Sequence, residues 1–416
     1  MAYSQTIYLL KCCSTYVKAG YLLQSTLLKI IFTIFYFLLV ITTVKSQVSR
    51  AYSNEFLTIG VDAAALAQSN AVVATTNDVN SGYWNPAGLV HLEDNQIALQ
   101  HAEYFGNIAN YDYAAFGKPI DERSAIGFSI IRFGVDDILN TTQLIDDQGN
   151  IDFNRISLFS TADWAFTFSY ARELLLDGLN IGANAKVVRR VIGDFASSWG
   201  FGLDLGIQFQ RGNWQFGFTA RDVTTTVNAW SIDEDEFATI QNAVEGQNTE
   251  LPESTELTLP SLQFGVGRSW LFHYDYSLRA EIDFNARFIQ TNDIISSPNV
   301  SISPAIGFEF GYADLVFVRG GLGNFQDIND IGSGLIETEV IDPVTGDTVI
   351  QQSPEVNSRL SFQPNIGVGF KYKGIYVDYA LTDIGDQSAA IFSNIFSLKI
   401  DWELFRPRPV LGTGKK

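Results

Sequence analysis

Trp199-Gly200-Phe201-Gly202-Leu203-Asp204-Leu205-Gly206-Ile207-Gln208-Phe209 alternates, residue by residue, between large apolar side chains and glycine or polar ones. Successive side chains of a strand point to opposite faces, so the segment has one greasy face and one small or polar face. The same contrast sets Trp164, Phe166, Phe168 and Tyr170 against Ala165, Thr167 and Ser169, and Leu278, Ala280, Ile282 and Phe284 against Arg279, Glu281, Asp283 and Asn285. It recurs in Trp214, Phe216 and Phe218 against Gln215, Gly217 and Thr219, and in Ile306, Phe308 and Phe310 against Gly307, Glu309 and Gly311. These runs are roughly nine to twelve residues, the length a tilted strand needs to cross a bilayer.

About fourteen such segments follow one another, joined alternately by tight turns and by connections of variable length. The tight ones are Asp121 to Ser124, Asp177-Gly178, Arg211-Gly212-Asn213, Tyr312-Ala313-Asp314 and Lys373-Gly374. Gly134 to Thr161, Thr224 to Pro260 and Gly323 to Ser361 read as long loops. One trim end and one elaborate end is the organisation of an outer-membrane β-barrel, with short periplasmic turns and long outer loops. A soluble sandwich or propeller also alternates. Its strands average about five or six residues, and its loops need not sort by parity. In lipid, closure is the only β solution, because each unpaired backbone group costs several kcal/mol there.

The 416 residues show no composition break after about residue 95 and read as one barrel over residues 95–405. A balance of 27 basic to 46 acidic residues argues against a nucleic-acid protein, which needs a basic stripe against phosphates. Aromatic content of 13% suits the girdles of a barrel.

Residues 1–46 read as an export signal with a long preface. Lys29 precedes the apolar run Ile30 to Thr43, and Val44-Lys45-Ser46 offers small residues where a signal peptidase reads. The run is too short for a comfortable membrane helix; an uncleaved anchor is the alternative. Met1 is the only methionine, which points to a true start near Leu27 or Leu28 at a non-standard codon. Cys12 and Cys13, the only cysteines, lie in this leader, so the mature chain is expected to hold no disulfide and no thiolate metal site.

Residues 47–94 follow a different grammar. Glu55 to Leu92 is rich in Ala, Asn and Thr, with Asp62-Ala63-Ala64-Ala65-Leu66-Ala67, Ala71 to Asn80 and Tyr83-Trp84-Asn85-Pro86-Ala87-Gly88-Leu89. Small residues permit close packing, and Asn85-Pro86 is a turn former. On Asn85, Pro86, Ala87, Gly88 and Leu89 the chain resembles the FadL-like outer-membrane family, in which a small-residue stretch before such a motif forms a hatch inside a fourteen-stranded barrel. On Phe56-Leu57-Thr58-Ile59-Gly60-Val61-Asp62-Ala63 and the two later runs it is more similar to the PorV/PorQ branch, part of the type IX secretion system of Bacteroidetes. Relatives tend to be glycine-rich where this chain reads Ala65-Leu66-Ala67-Gln68-Ser69-Asn70, which implies a different hatch packing.

The resemblance implies an all-β transmembrane barrel in the outer membrane with a lumenal hatch and both termini in the periplasm. It implies a non-enzymatic PorV-like role: binding secreted cargo through its C-terminal domains beside a SprA-like translocon barrel, then passing it to attachment-complex proteins. The remaining partners are outer-membrane lipids. The alternative is FadL-like transport of hydrophobic small molecules.

The three long loops hold twenty of the 46 acids, and Asp233-Glu234-Asp235-Glu236 is the densest run. It is either a partner-binding focus or a solvated surface that stays clear of lipopolysaccharide phosphates. Asp327, Asp330 and Asp342 are acidic candidates for calcium, but no twelve-residue calcium loop is present. The inward set, including Lys186, Arg190, Asp204, Arg279, Glu281, Asp283, Glu309, Asp378, Lys399 and Asp401, mixes signs as a plug held by salt bridges would. Glu281 and Asp283 share a face with Arg279 and Arg287 beside them, which reads as an ion network rather than a catalytic carboxylate pair. His91, His101 and His273 are scattered and form no triad, so no catalytic residue, metal or cofactor is expected. A charge at Leu205 should cost ~2–4 kcal/mol and the same change at Gln208 far less. Phe396, Leu398, Ile400 and Trp402 form a terminal-strand pattern with Phe405 as its finish, and residues 406–416 a basic periplasmic tail.

Overall fold

The computed structural model describes residues 52–104, 106, 108–145, 148–234, 236, 254–341, 348–382 and 393–402. The leader with Cys12 and Cys13, the tail 406–416, and Asp235, Asp342 and Phe405 lie outside the described residues.

The strands form one antiparallel sheet that closes on itself. β1 (Gln96–Tyr104), β2 (Ala109–Asp121), β3 (Ser124–Asn140), β4 (Ser157–Glu173), β5 (Leu179–Ile192) and β6 (Ala196–Arg211) follow one another round the wall. β7 (Trp214–Arg221) pairs with the Leu205–Arg211 part of β6, and β8 (Thr226–Ile232) with its Ala196–Phe201 part, so the two share one wall position. The next position is likewise divided between β9 (Thr255–Thr258) and β10 (Ser261–Phe272). β11 (Tyr276–Arg287), β13 (Ser301–Tyr312), β14 (Val316–Ile341), β15 (Thr348–Tyr372), β16 (Ile375–Thr382) and β17 (Ser393–Asp401) complete the ring, with β12 (Ile295–Ser296) a short addition beside β13. β17 pairs with β1 from Gln96↔Asp401 to Glu103↔Asn394, which leaves no edge. The result is a closed barrel with fourteen wall positions.

Side-chain exposure follows the alternation. On β6, Trp199, Phe201, Leu203, Leu205 and Ile207 are exposed, while Asp204 and Gln208 are buried in the lumen. Exposed apolar rows recur on β10, β11, β13 and β15, a band far larger than the patches a soluble protein leaves in water. The barrel presents that band to lipid.

Two expectations are corrected. Much of what read as long loop is strand: β3 runs to Asn140, β4 begins at Ser157, and β14 and β15 stay paired as far as Ile341↔Thr348. Hairpin pairing continues past the last regular apolar alternation, so periodicity alone stops these strands too early. Bulges at Val135/Ile138 and Gly323/Gln326 also break the period. Secondly, the described chain does not begin at the tight-turn end. The Tyr52 hydroxyl donates to Pro260 O and accepts from Phe288 N, and Asn54 Nδ2 donates to Thr258 Oγ1, all at the loop end. The C-terminal strand does finish at the tight-turn end, where Asp401 N donates to Gly374 O. Parity fixes only the ends of the strands, whereas the segment before β1 is long enough to thread the lumen from one end to the other.

Candidate functional site: the hatch and its anchors

Residues 52–95 occupy the lumen, and their irregular backbone is satisfied by inward-facing wall groups. The densest set lies on β11. Asp283 Oδ2 accepts from Val72 N at 3.0 Å and Val73 N at 3.1 Å. Glu281 accepts from Ala74 N at 2.6 Å, Thr75 N at 3.1 Å and the Thr75 hydroxyl at 2.5 Å. Two carboxylates thus cradle four consecutive backbone N–H groups. Register makes the room: Asp283 faces Gly265 on β10, and Glu281 faces Gly267 on β10 and Gly307 on β13. A Cβ at Gly265 would overlap both carboxylates. The expected ion network around this pair is therefore corrected. Arg279 turns to Glu309 at 3.2 Å, and the acids serve the hatch.

The Asn-Pro-Ala-Gly-Leu run is the second anchor. Asn85 is fully buried; its Oδ1 accepts from Ala87 N, capping a short 3₁₀ helix, Pro86–His91, that opens on Pro86. Its Nδ2 donates to Val73 O at 2.9 Å and to Ile207 O on β6 at 3.0 Å, so one amide joins cap, hatch loop and wall. A Cβ on Gly182 of β5 would overlap the Pro86 and Ala87 main chain, and one on Gly217 of β7 would overlap Val73. Gly88 is packed against Thr76 O, and Leu89 is buried with Leu92, Ala125 and Ala171. The Trp84 indole donates to Val61 O at 3.1 Å, and Arg221 lies 4.7 Å from the centre of the Tyr83 ring while donating to Tyr83 O.

Ion clusters complete the closure. Lys186 bridges Asp204 and Asp222, each at 2.8 Å, where β7 gives way to β8. Asp222 and Thr225 there have positive φ, and Val223 N donates to Leu203 O to keep the break attached to β6. Arg190 pairs with Asp163 and Glu256, Arg319 with Glu309 and Asp378, and Lys399 with Asp78 of the hatch. Asp62, outside the spanning strands, accepts from the Ser397 hydroxyl at 3.0 Å. Burial, with Asp378 and Asp78 nearby, pushes its carboxyl up to about 6.

Two of the chambers left among the described residues touch Trp84. The one at the tight-turn end is about 340 Å³ and polar, with Arg319, Lys399 and Asp401 in its wall. The one at the loop end is about 350 Å³ and lined in part by Leu57, Ile59, Leu66 and Leu262.

The acidic run lies apart from these anchors. Asp233 and Glu234 are exposed just beyond β8 at the loop end, and Asp233 Oδ1 accepts from Glu236 N. Asp327 accepts from the Ser358 hydroxyl. Among the described residues no group of three or more His, Cys, Asp or Glu side chains could hold a metal ion. His101 sits on the outer wall 2.7 Å from Asp112, and His91 meets Asn180.

The family described as "Type IX secretion system protein PorV" matches residues 43–229. Over that stretch the chain is similar to PorV-family sequences. The PorV match covers the hatch, with both its buried runs, and the wall through β7. No curated protein matches. Solved structures with a similar course include a Pseudomonas aeruginosa FadL homologue at 12% identity, covering 82% of this chain and 98% of that one with a TM-score of 0.44. The Ralstonia pickettii toluene transporter TbuX gives 12%, 82%, 98% and 0.44 on the same measures. The Pseudomonas putida toluene transporter TodX gives 11%, 82%, 98% and 0.49.

Proposed function

We propose that this barrel is a non-enzymatic outer-membrane component of type IX protein secretion. It binds secreted cargo by C-terminal signal domains beside a SprA-like translocon barrel and hands it to the surface attachment complex. The PorV-family match over residues 43–229 carries this reading. The blocked lumen supports it, because a hatch bound through four consecutive N–H groups suits a scaffold better than a conduit. In this reading the tight turns and the tail from residue 406 face the periplasm, and the loops face outward. Asp233, Glu234, Asp235 and Glu236 then form an outer acidic surface that speeds the encounter with basic partners.

A pull-down of the tagged full chain from outer-membrane extracts tests it. Recovery of a very large translocon barrel together with cargo C-terminal domains is the expected result. Transport of hydrophobic small molecules is the second reading, favoured by the apolar part of the loop-end chamber. Hydrocarbon uptake lost on deletion, with secretion intact, would establish that reading and overturn the first.

A further inference from the structure

Not every arginine of the wall is matched with an acid. Arg190, Arg279 and Arg319 turn inward, and each meets a carboxylate. Arg211 and Arg268 point the other way and are in no ion pair among the described residues. Arg268 alternates on β10 with Phe264 and Val266 of the outer row, against Gly265 and Gly267 of the inner one. Arg211 closes β6 in the same outward register as Leu205 and Ile207, and it is exposed.

One indole brings the two together. In the register of the sheet Arg211 faces Trp214 at the start of β7, and Trp214 faces Arg268 on β10. Directly opposed side chains on one face of a sheet lie about 4.5–5.5 Å apart at Cβ. The Arg268 guanidinium is held between two rings, 4.8 Å from the centre of Trp214 and 5.1 Å from that of Trp270. Such contacts fix the group without neutralising it, because a ring quadrupole carries no net charge. Its Nε is buried with no acceptor. Across the sheet on the other side stands Ala280, whose single methyl leaves room beside the guanidinium. Phe216 faces Val266 and Leu278 faces Trp270, so the neighbours on this face are apolar.

An unmatched cation on a lipid-facing wall is costly unless it lies near the interface and meets an anion there. Depth satisfies the first condition: the row lies where β6 passes to β7 through a tight turn, and Trp favours that level of a membrane. The anion found at that level of a bilayer is the phosphate of a lipid headgroup, with acyl chains that continue along Phe216 and Val266. Guanidinium forks match phosphate oxygens in pairs. We propose that Arg268 and Arg211, on either side of Trp214, form a seat for one phospholipid headgroup at the tight-turn end of the wall. The seat gives the circumference one sector, β6 to β10, that retains its lipid while the rest exchanges.

Native mass spectrometry of the purified full chain tests this, with release from detergent micelles doped equally with phosphatidylglycerol and a diacylglycerol of the same acyl chains. The wild type should retain the phosphate-bearing lipid about tenfold more often than the diacylglycerol, as a charge-assisted hydrogen bond of ordinary strength implies. Arg268→Gln with Arg211→Gln should bring the two lipids to parity. Arg268→Lys alone should keep an intermediate preference, because a point charge replaces a fork. Lys118→Gln, which removes an exposed cation at the same end of the barrel on β2, should leave the preference intact. Heat-modifiability on gels confirms that each variant is folded, and the wild-type ratio tests the proposal by itself. Parity in the wild type, a preference that survives loss of both arginines, or an equal fall in Lys118→Gln would overturn the proposal.

Discussion

The outer face of β6 and the inner face of β11 are built from the same strand geometry and are specified in opposite ways. On β6 five apolar side chains from Trp199 to Ile207 face lipid, and any similar set would do. On β11 two particular carboxylates each meet particular N–H groups of one hatch loop. The outer face is set by a pattern and the inner one by individual atoms. Substitutions on the first should therefore cost by depth in the bilayer, and on the second by which partner is orphaned.

Removing both acids breaks that contrast most severely. Glu281→Ala with Asp283→Ala leaves four buried donors without acceptors, and the hatch should be destabilised by about 3–5 kcal/mol. Hydrogen exchange at Val72 to Thr75 would report it while the wall stays folded. Leu205→Arg should cost the wall ~2–4 kcal/mol at the midplane, read from urea unfolding in bilayers. Gln208→Arg sharpens the comparison in a way periodicity does not anticipate. Gln208 is 4% exposed and donates to Val73 O and Thr76 O, so its penalty falls on the hatch, and exchange in the hatch, not wall unfolding, should record it. Asn85→Ala should cost about 1–2 kcal/mol through the lost cap.

pH acts on the hatch through Asp62. Its folded pKa of about 6 lies above its ordinary value, so the folded chain holds the proton more tightly. Stability from this group is greatest below about pH 4 and falls as pH rises to about 6. Asp62→Asn should flatten that part of a stability profile measured from pH 4 to 7.

Wall and hatch were not equally legible in the sequence. The strand period, the facing of Leu205 against Gln208 and the tight turns follow from side chains that repeat every two residues. The hatch was implied by the family resemblance that Asn85 to Leu89 carry, whereas the residues by themselves marked only a turn and close packing. What Glu281 and Asp283 hold was not, since their partners lie about two hundred residues away and are backbone N–H groups that no residue letter marks. A trace was there all the same: Gly265, Gly267 and Gly307 fall beside those acids once the strands are paired. The strand extensions beyond Gly134 and Gly323 are not marked by the period, because a hairpin keeps the hydrogen bonds of a strand across bulges that break its alternation.

Conductance in planar bilayers tests most directly the claim that the hatch closes this barrel from within. The purified wild-type chain should insert without a steady ion current, and the variant with Glu281→Ala and Asp283→Ala should open a conducting lumen. A steady current through the wild type, unchanged in that variant, would contradict it.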